Sequence, residues 1–470
     1  MTHPESPATD KRAVLIVTCA AAFLFPFMGS SVNVALPSIG IGLGMTSVEL
    51  AWVATSFLLT SSLLLVPFGR LGDMRGRKRV LTTGVAVYAV GSTIASLSMN
   101  GAMLIMARVV QGVGGAMLAS TSVAILASVF LPGERGKALG INAAALYSGL
   151  SVGPALGGIL TQSFGWRAVF LVNIPLGIAL FLAAHYKLPA QEPVAPESRF
   201  DWRGFAAYAV FLVGGVYGMT QLPASSGFLG IAIGIAGFLV LLRVERTARQ
   251  PLIDVALFRT NTSFAMSNLA AFLNYSAFFA ATFLLSFYLQ IVVGLSPRST
   301  GLVLVSMPII QAVVSPLAGR LSDRYEPRVL ASSGMALTAI ALFLMSRFDT
   351  TTPIMQVVLV LALLGLGVGI FSSPNTNAVM TSVQSHRYGL ASATLSTTRQ
   401  VGMVLSMGIA TLFIATRVGA TDINTTPPLL LVDAMQSTFL LCTVACLVGI
   451  VASVFRGSLY STVPDTESPH

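Results

Sequence analysis

Charge is what this 470-residue chain has least of: 9% of its residues are Asp, Glu, Lys or Arg, while 54% are hydrophobic. A water-soluble domain needs roughly a quarter of its residues charged to clothe its surface, so that class is excluded. Histidine is nearly as scarce. His3, His185, His386 and His470 lie in tails or near helix ends, which leaves no histidine-based metal or catalytic centre inside the apolar stretches. No dense acidic group accompanies them, so neither an enzyme nor a resident cofactor or metal is expected. Three cysteines, Cys19, Cys442 and Cys446, cannot build a disulfide framework, and the last two share a helix face as packing residues. No Gly-x-x-x-x-Gly-Lys-Ser/Thr run is present, which argues against an ATP-driven pump. The polar start Met1 to Arg12 leads into an apolar run too long for a cleavable leader.

The net charge of +10 invites a nucleic-acid reading, but its distribution rejects one. A hydrocarbon core of about 30 Å needs roughly 20 apolar residues per helix. Fourteen such stretches can be read, near 13–36, 49–69, 80–99, 102–129, 138–162, 168–186, 203–221, 226–242, 264–292, 300–318, 329–346, 353–378, 390–415 and 435–455. With both termini cytoplasmic, 21 of the 27 basic residues fall in inside loops and tails. Only Arg167, Arg298, Arg347 and Arg417 fall outside, and Arg108 and Arg399 lie within spans. That bias follows the positive-inside rule. The expected setting is therefore a cell membrane, with the bilayer as the chain's surroundings.

Two loops of similar sequence stand 250 residues apart. The first is Gly69-Arg70-Leu71-Gly72-Asp73-Met74-Arg75-Gly76-Arg77-Lys78-Arg79, and the second is Gly319-Arg320-Leu321-Ser322-Asp323-Arg324. A repeat at this period means a doubled helical unit, the construction from which secondary transporters make a central alternating site. Arg108, inside the fourth stretch, is costly unless it faces a polar interior, and Gln111 lies one turn later on the same face. The bland reading is an arginine snorkelling to the interface. In the fifth stretch Gly149, Gly153 and Gly157 recur every four residues, with Pro154 and Gly158 completing Gly-Pro-x-x-Gly-Gly. Such glycines admit a close neighbour, and the proline bends the helix.

Together these motifs resemble the major facilitator superfamily, in its fourteen-helix drug:proton antiporter branch. Val32-Asn33-Val34-Ala35-Leu36-Pro37, Asn173-Ile174-Pro175-Leu176-Gly177 and Pro251-Leu252-Ile253-Asp254 extend the match. The resemblance implies an all-α polytopic fold of two pseudo-symmetric six-helix bundles, residues 1–186 and 263–456. Two inserted helices and their flanks (187–262) and a cytoplasmic tail (457–470) complete it. It also implies that Gly69, Gly72, Asp73, Arg77 and Asp323 form a conformational latch. Arg108 would take part in proton transfer, and Gly149, Gly153, Pro154, Gly157 and Gly158 would be an antiporter motif. The implied function is proton-linked efflux of lipophilic small molecules by a monomer. The alternative is an exporter or flippase for one endogenous metabolite or lipid.

One departure matters. Branch members carry an aspartate in helix 1, five residues before the Asn of Asn-Val-Ala-Leu-Pro, and this chain has Met28 there. No acid falls at a span's midpoint, so proton coupling would use a boundary acid such as Glu49 or Asp433, or protonation of the substrate, or be absent. Arg399, deep in the thirteenth stretch, is either a strut or a substrate contact, and the positive interior favours neutral or anionic substrates over cations. Candidate cavity residues are Asn33, Gln111, Tyr147, Asn274, Tyr275, Phe278, Gln290 and Gln311, alongside Arg399.

Overall fold

The computed structural model describes residues 10–130, 132–189, 193, 200–247, 255–322, 324–384, 387–419 and 426–457. The first half holds α1 (Lys11–Leu43), α2 (Ser47–Arg75), α3 (Arg77–Ser96), α4 (Gly101–Val129), α5 (Pro132–Phe164), α6 (Arg167–Leu171) and α7 (Asn173–Lys187). A hairpin of α8 (Trp202–Gln221) and α9 (Ser225–Glu245) follows. The second half holds α10 (Val255–Thr260), α11 (Thr262–Phe278), α12 (Ala281–Phe287) with a π-helical turn (Tyr288–Val292), α13 (Pro297–Leu304) and α14 (Ser306–Ser322). It ends with α15 (Pro327–Met345), α16 (Ile354–Thr381), α17 (Tyr388–Arg417) and α18 (Pro428–Val454). Among the described residues there is no strand. This suits a bilayer, where each backbone group needs an internal partner.

Short reversals fix the alternation of these helices. Gly44, at φ +60°, ends α1, and Thr46 then caps α2 in a capping box with Glu49. Asn100 caps α4, Asn261 caps α11 and Ser296 caps α13. One end of the resulting bundle bears Lys11, Arg75, Arg77 and Arg320, and is called the basic end below; the other is the far end.

The two halves correspond at close to the spacing of the repeated loops, within a few residues. The Gly84 carbonyl lies 2.7 Å from where a Cβ on Gly114 would stand, and the Gly334 carbonyl lies 2.8 Å from the same point on Gly367. Gly84 and Gly334 are themselves 250 positions apart. Gly149 of α5 rests on the Phe23 carbonyl of α1, as Gly402 of α17 rests on the Phe272 carbonyl of α11. Where Gly153 follows on α5, α17 has Ser406, whose hydroxyl accepts the Ala280 amide (3.0 Å) at the break between α11 and α12. A helix interruption at this depth needs such a partner for its freed backbone group.

Each of the fourteen expected stretches falls on helix, but among the described residues twelve helices are long and apolar enough to cross a membrane. The two that fall short are α3 and α8. Helix α3 opens on Arg77-Lys78-Arg79 and carries Thr82, Thr83, Ser92, Thr93 and Ser96; α8 carries Arg203, four glycines and Gln221. Both still pack as full members of the bundle: α3 between α4 and α7, and α8 against α9, α2 and α17. The hairpin is joined by glycine backbone contacts, with Gly218 against Gly230 and Gly227, and Gly234 against Gly214 and Gly215.

Candidate functional site

Arg108 sits inside the first half with about 1% of its surface exposed. Its Nε donates to the Val53 carbonyl (3.0 Å) and its Nη1 to Gln111 Oε1 (2.8 Å), while Gln111 Nε2 donates to Ser92 Oγ (2.8 Å). The guanidinium also lies 4.2 Å from the centroid of the Phe57 ring. Neutral acceptors and an aromatic face therefore carry this charge. Nearby, the Tyr88 hydroxyl donates to Asn173 Oδ1 (3.3 Å), and Asn173 Nδ2 donates to the Met28 sulfur (3.2 Å). Met28 is wholly buried there, so the position that bears an aspartate in the resembling branch faces α7 within one half.

The antiporter-motif glycines seat α5 on α1. A Cβ on Gly153 would overlap Ser30 Oγ, one on Gly157 would stand 2.7 Å from the Ser31 carbonyl, and Ser31 Oγ donates to the Gly153 carbonyl (3.0 Å). Gly158 turns the other way. It meets the Pro297 carbonyl of α13, while Gly301 of α13 meets the Pro154 carbonyl. The halves thus touch backbone to backbone at the far end. Three hydrogen bonds reinforce that seam: Asn33 Nδ2 to Thr282 Oγ1 (3.4 Å), Gln290 Nε2 to the Val34 carbonyl (2.9 Å), and the Arg298 amide to Gln162 Oε1 (3.3 Å).

Midway along the seam lies a polar cluster drawn from both halves. Tyr147 of α5 reaches the Ser315 hydroxyl of α14 and the Ser372 hydroxyl of α16, close to Tyr275 and Arg399. Arg399 Nη2 donates to Thr376 Oγ1 (2.5 Å) and the Ser372 carbonyl (3.3 Å), and its Cζ stands 5.4 Å from the Tyr275 ring centroid. Tyr275 and Ser372 share a hydrogen bond of 3.1 Å, and the Tyr275 and Phe278 rings pack at 5.2 Å. Gln311 lies one turn from Ser315 on α14; it is buried, and its Oε1 has no partner. Asn274 is buried in α11 with neither amide atom partnered.

The remaining candidates lie elsewhere. Asp73 Oδ1 accepts from Arg77 Nε (2.9 Å) and Nη2 (2.8 Å), and Arg77 Nη1 donates to the Ala124 carbonyl (2.8 Å), which ties the loop to α4 of its own half. Gly69 and Gly72 face Ser120 and Thr121 of the same helix. Asp323 lies outside the described residues. Glu49 is engaged in the cap of α2, and Asp433 pairs with Arg417 (3.3 Å) at the exposed far end. A groove of about 400 Å³ beside Asp433 is lined by Phe343, Arg347, Gln436 and Leu440 of α15, α18 and the residues that follow α15, so it belongs to one half alone. Neither boundary acid reaches the central cluster.

The sequence profile of the Major Facilitator Superfamily matches residues 18–250 and 267–469. The chain belongs to the Major Facilitator Superfamily. It is a transporter of that superfamily and not an enzyme. It is 31% identical over 449 residues to the riboflavin transporter of Clostridioides difficile, covering 95% of this chain and 97% of that one. It is 30% identical to the tetracenomycin C resistance and export protein of Streptomyces glaucescens, over 88% of this chain and 78% of that one. Its fold is similar to that of a bacterial homologue of the human lysosomal transporter Spinster, with a TM-score of 0.71, 14% identity and coverage of 96% and 98%.

For a Major Facilitator Superfamily chain, the residues that sequence reasoning missed are informative. Ser315, Ser372, Thr376, Thr282 and Gly301 all stand at the seam. Gln311 with Ser315, and Ser372 with Thr376, are spaced by four, so their shared helix faces were legible. The convergence of Ser315 and Ser372 on Tyr147 across the seam was not, because contacts between the halves leave no trace in helical periodicity.

Proposed function

We propose that this protein exports lipophilic small molecules by alternating access, with transport linked to protons. The observation that carries this reading is the two-sided use of the α5 motif. Gly149, Gly153 and Gly157 fuse α5 to α1, while Pro154 and Gly158 form a separable backbone contact with α13 just beyond the polar cluster. A cluster shared by two rigid units, with a bare glycine contact on one side of it, is a geometry that rocking can open and close. We assign the basic end to the cytoplasmic face of a cell membrane from the Lys/Arg asymmetry, read the chain as fourteen spans, and take the single chain as the working unit. Glu49 and Asp433 are already engaged at the far end, so the proton linkage is assigned to protonation of the substrate. That several relatives are antibiotic resistance and export proteins supports the direction.

The test uses proteoliposomes with an imposed pH gradient and a panel of lipophilic compounds. Accumulation against the compound's own gradient, abolished when the pH gradient is collapsed, is the expected result. Movement that ignores the gradient would discard the proton linkage. A second reading, export of one endogenous flavin-like metabolite, is favoured by the full-length similarity to a riboflavin transporter. Riboflavin as the only compound of the panel that moves would select it.

A further inference from the structure

The two membrane-depth arginines provide an internal comparison. Arg108 is sealed inside the first half, held by a backbone carbonyl, Gln111 and the Phe57 face. It is a strut. Arg399 differs on every count. It is only half-buried and stands at the seam rather than inside a bundle. Its Nε is buried without an acceptor, and its bonds go to one hydroxyl and one carbonyl through Nη2 alone. Among the described residues no carboxylate pairs with it; pairs such as Lys11 with Glu134, Arg77 with Asp73 and Arg417 with Asp433 lie elsewhere. A guanidinium at this depth is expensive unless something takes up its charge and its free donors.

The surroundings say what that something is. A guanidinium fork matches a planar oxyanion such as a carboxylate or phenolate. Tyr147, Ser315 and Ser372 add hydroxyls from three helices around the same point. Tyr275 and Phe278, with rings packed at 5.2 Å, form an aromatic wall beside the charge. We propose that the Arg399 cluster is the substrate's anion site, taking the oxyanion of a flat aromatic acid whose ring lies against Tyr275 and Phe278. This deepens the exporter reading and rests on it for the claim that the bound molecule moves. Tyr147 belongs to the first half and Arg399 to the second, so an occupant touching both would bridge the two rocking units.

The experiment uses the full-length protein in neutral-lipid nanodiscs and two xanthene dyes of similar size, anionic fluorescein and cationic rhodamine 123, followed by fluorescence anisotropy. Saturable fluorescein binding roughly tenfold or more tighter than rhodamine 123 binding is expected. Arg399→Gln should weaken fluorescein by roughly ten- to a hundredfold, as loss of a charge-assisted bond does, and spare rhodamine 123. Arg399→Lys keeps the charge without the fork and should fall between the two, which serves if the glutamine variant does not fold. Absence of saturable fluorescein binding, equal or tighter binding of rhodamine 123, or unchanged fluorescein binding in either folded variant overturns the proposal. Proteoliposomes separate the two readings. Fluorescein bound but never moved refutes the exporter and keeps the site, whereas rhodamine 123 moved with fluorescein ignored keeps the exporter and refutes the site.

Discussion

A methyl group at Gly158 or Gly301 should push the two halves apart at the far end. A Cβ on Gly158 would stand 3.1 Å from Arg298 Cα and closer still to the Pro297 carbonyl; one on Gly301 would stand 3.3 Å from Ala155 Cα and closer to the Pro154 carbonyl. The obstructing atoms are backbone on both sides, so no rotamer change relieves the clash. Overpacking of this kind costs about 1–3 kcal/mol, and here only the closed seam bears it. The equilibrium should therefore shift toward the separated arrangement by roughly 5- to 150-fold. Spin labels on Ser163→Cys and Ser299→Cys, both exposed beside the seam, would report it as a longer distance population in double electron–electron resonance, with the native cysteines replaced. Gly136→Ala is the control, because nothing lies within 4 Å of a Cβ there. An unchanged distribution in folded Gly158→Ala and Gly301→Ala would falsify the view that this contact is the moving seal.

Three further outcomes follow from the same geometry. Arg108→Met should lower the Tm in detergent by the equivalent of about 2–4 kcal/mol, since it strands Gln111 and the Val53 carbonyl in the interior. An unchanged melting curve would mean the network holds nothing together. Asp73→Asn should leave stability within about 1 kcal/mol, because its partner Arg77 keeps the Ala124 carbonyl and the pair is partly exposed, while transport rates change. A large loss of Tm with normal transport would assign the loop to stability instead. Glu49→Gln and Asp433→Asn should leave the pH dependence of export unchanged, as both acids act in far-end contacts; a shifted profile would restore them as proton carriers.

Much of the fold was legible because apolar length and loop charge are strong local signals. Each expected span coincides with helix, and the spacing of the Gly69 and Gly319 loops reappears in the Gly84 and Gly334 packing. The count was less secure where polarity and burial conflict. In α3 and α8 the neighbouring helices, not lipid, cover many residues, so serines, threonines and glycines replace leucines. At the site, Tyr147, Tyr275, Phe278 and Arg399 converge, and Gln311 lies a turn away. Gln111 belongs instead to the Arg108 network and Asn33 to the far-end seam. A polar residue on a helix announces that it meets protein, and the sequence does not say which half it meets.

The inserted hairpin raises a mechanical question, since α8 touches both units that have to move. Its contacts are unequal. Toward the first half, Tyr208 is buried and its hydroxyl donates to the Ser62 carbonyl (3.3 Å), with the Ser62 hydroxyl 3.4 Å away. Toward the second half, the nearest glycine contact is Gly408 against the sulfur and methyl of Met219, an unbranched side chain that repacks readily. A directional hydrogen bond resists sliding more than a thioether contact does, so the hairpin should travel with the first half and slide over α17. Label pairs from α9 to α3 should keep one distance in Gly158→Ala, while pairs from α9 to α15 should split as the Ser163–Ser299 pair does. Tyr208→Phe, which removes about 1 kcal/mol of hydrogen bonding, should broaden the α9 to α3 distance. If the α9 to α15 distance stays single while the α9 to α3 distance splits, the hairpin belongs to the second half, and the methionine contact is the stronger tether.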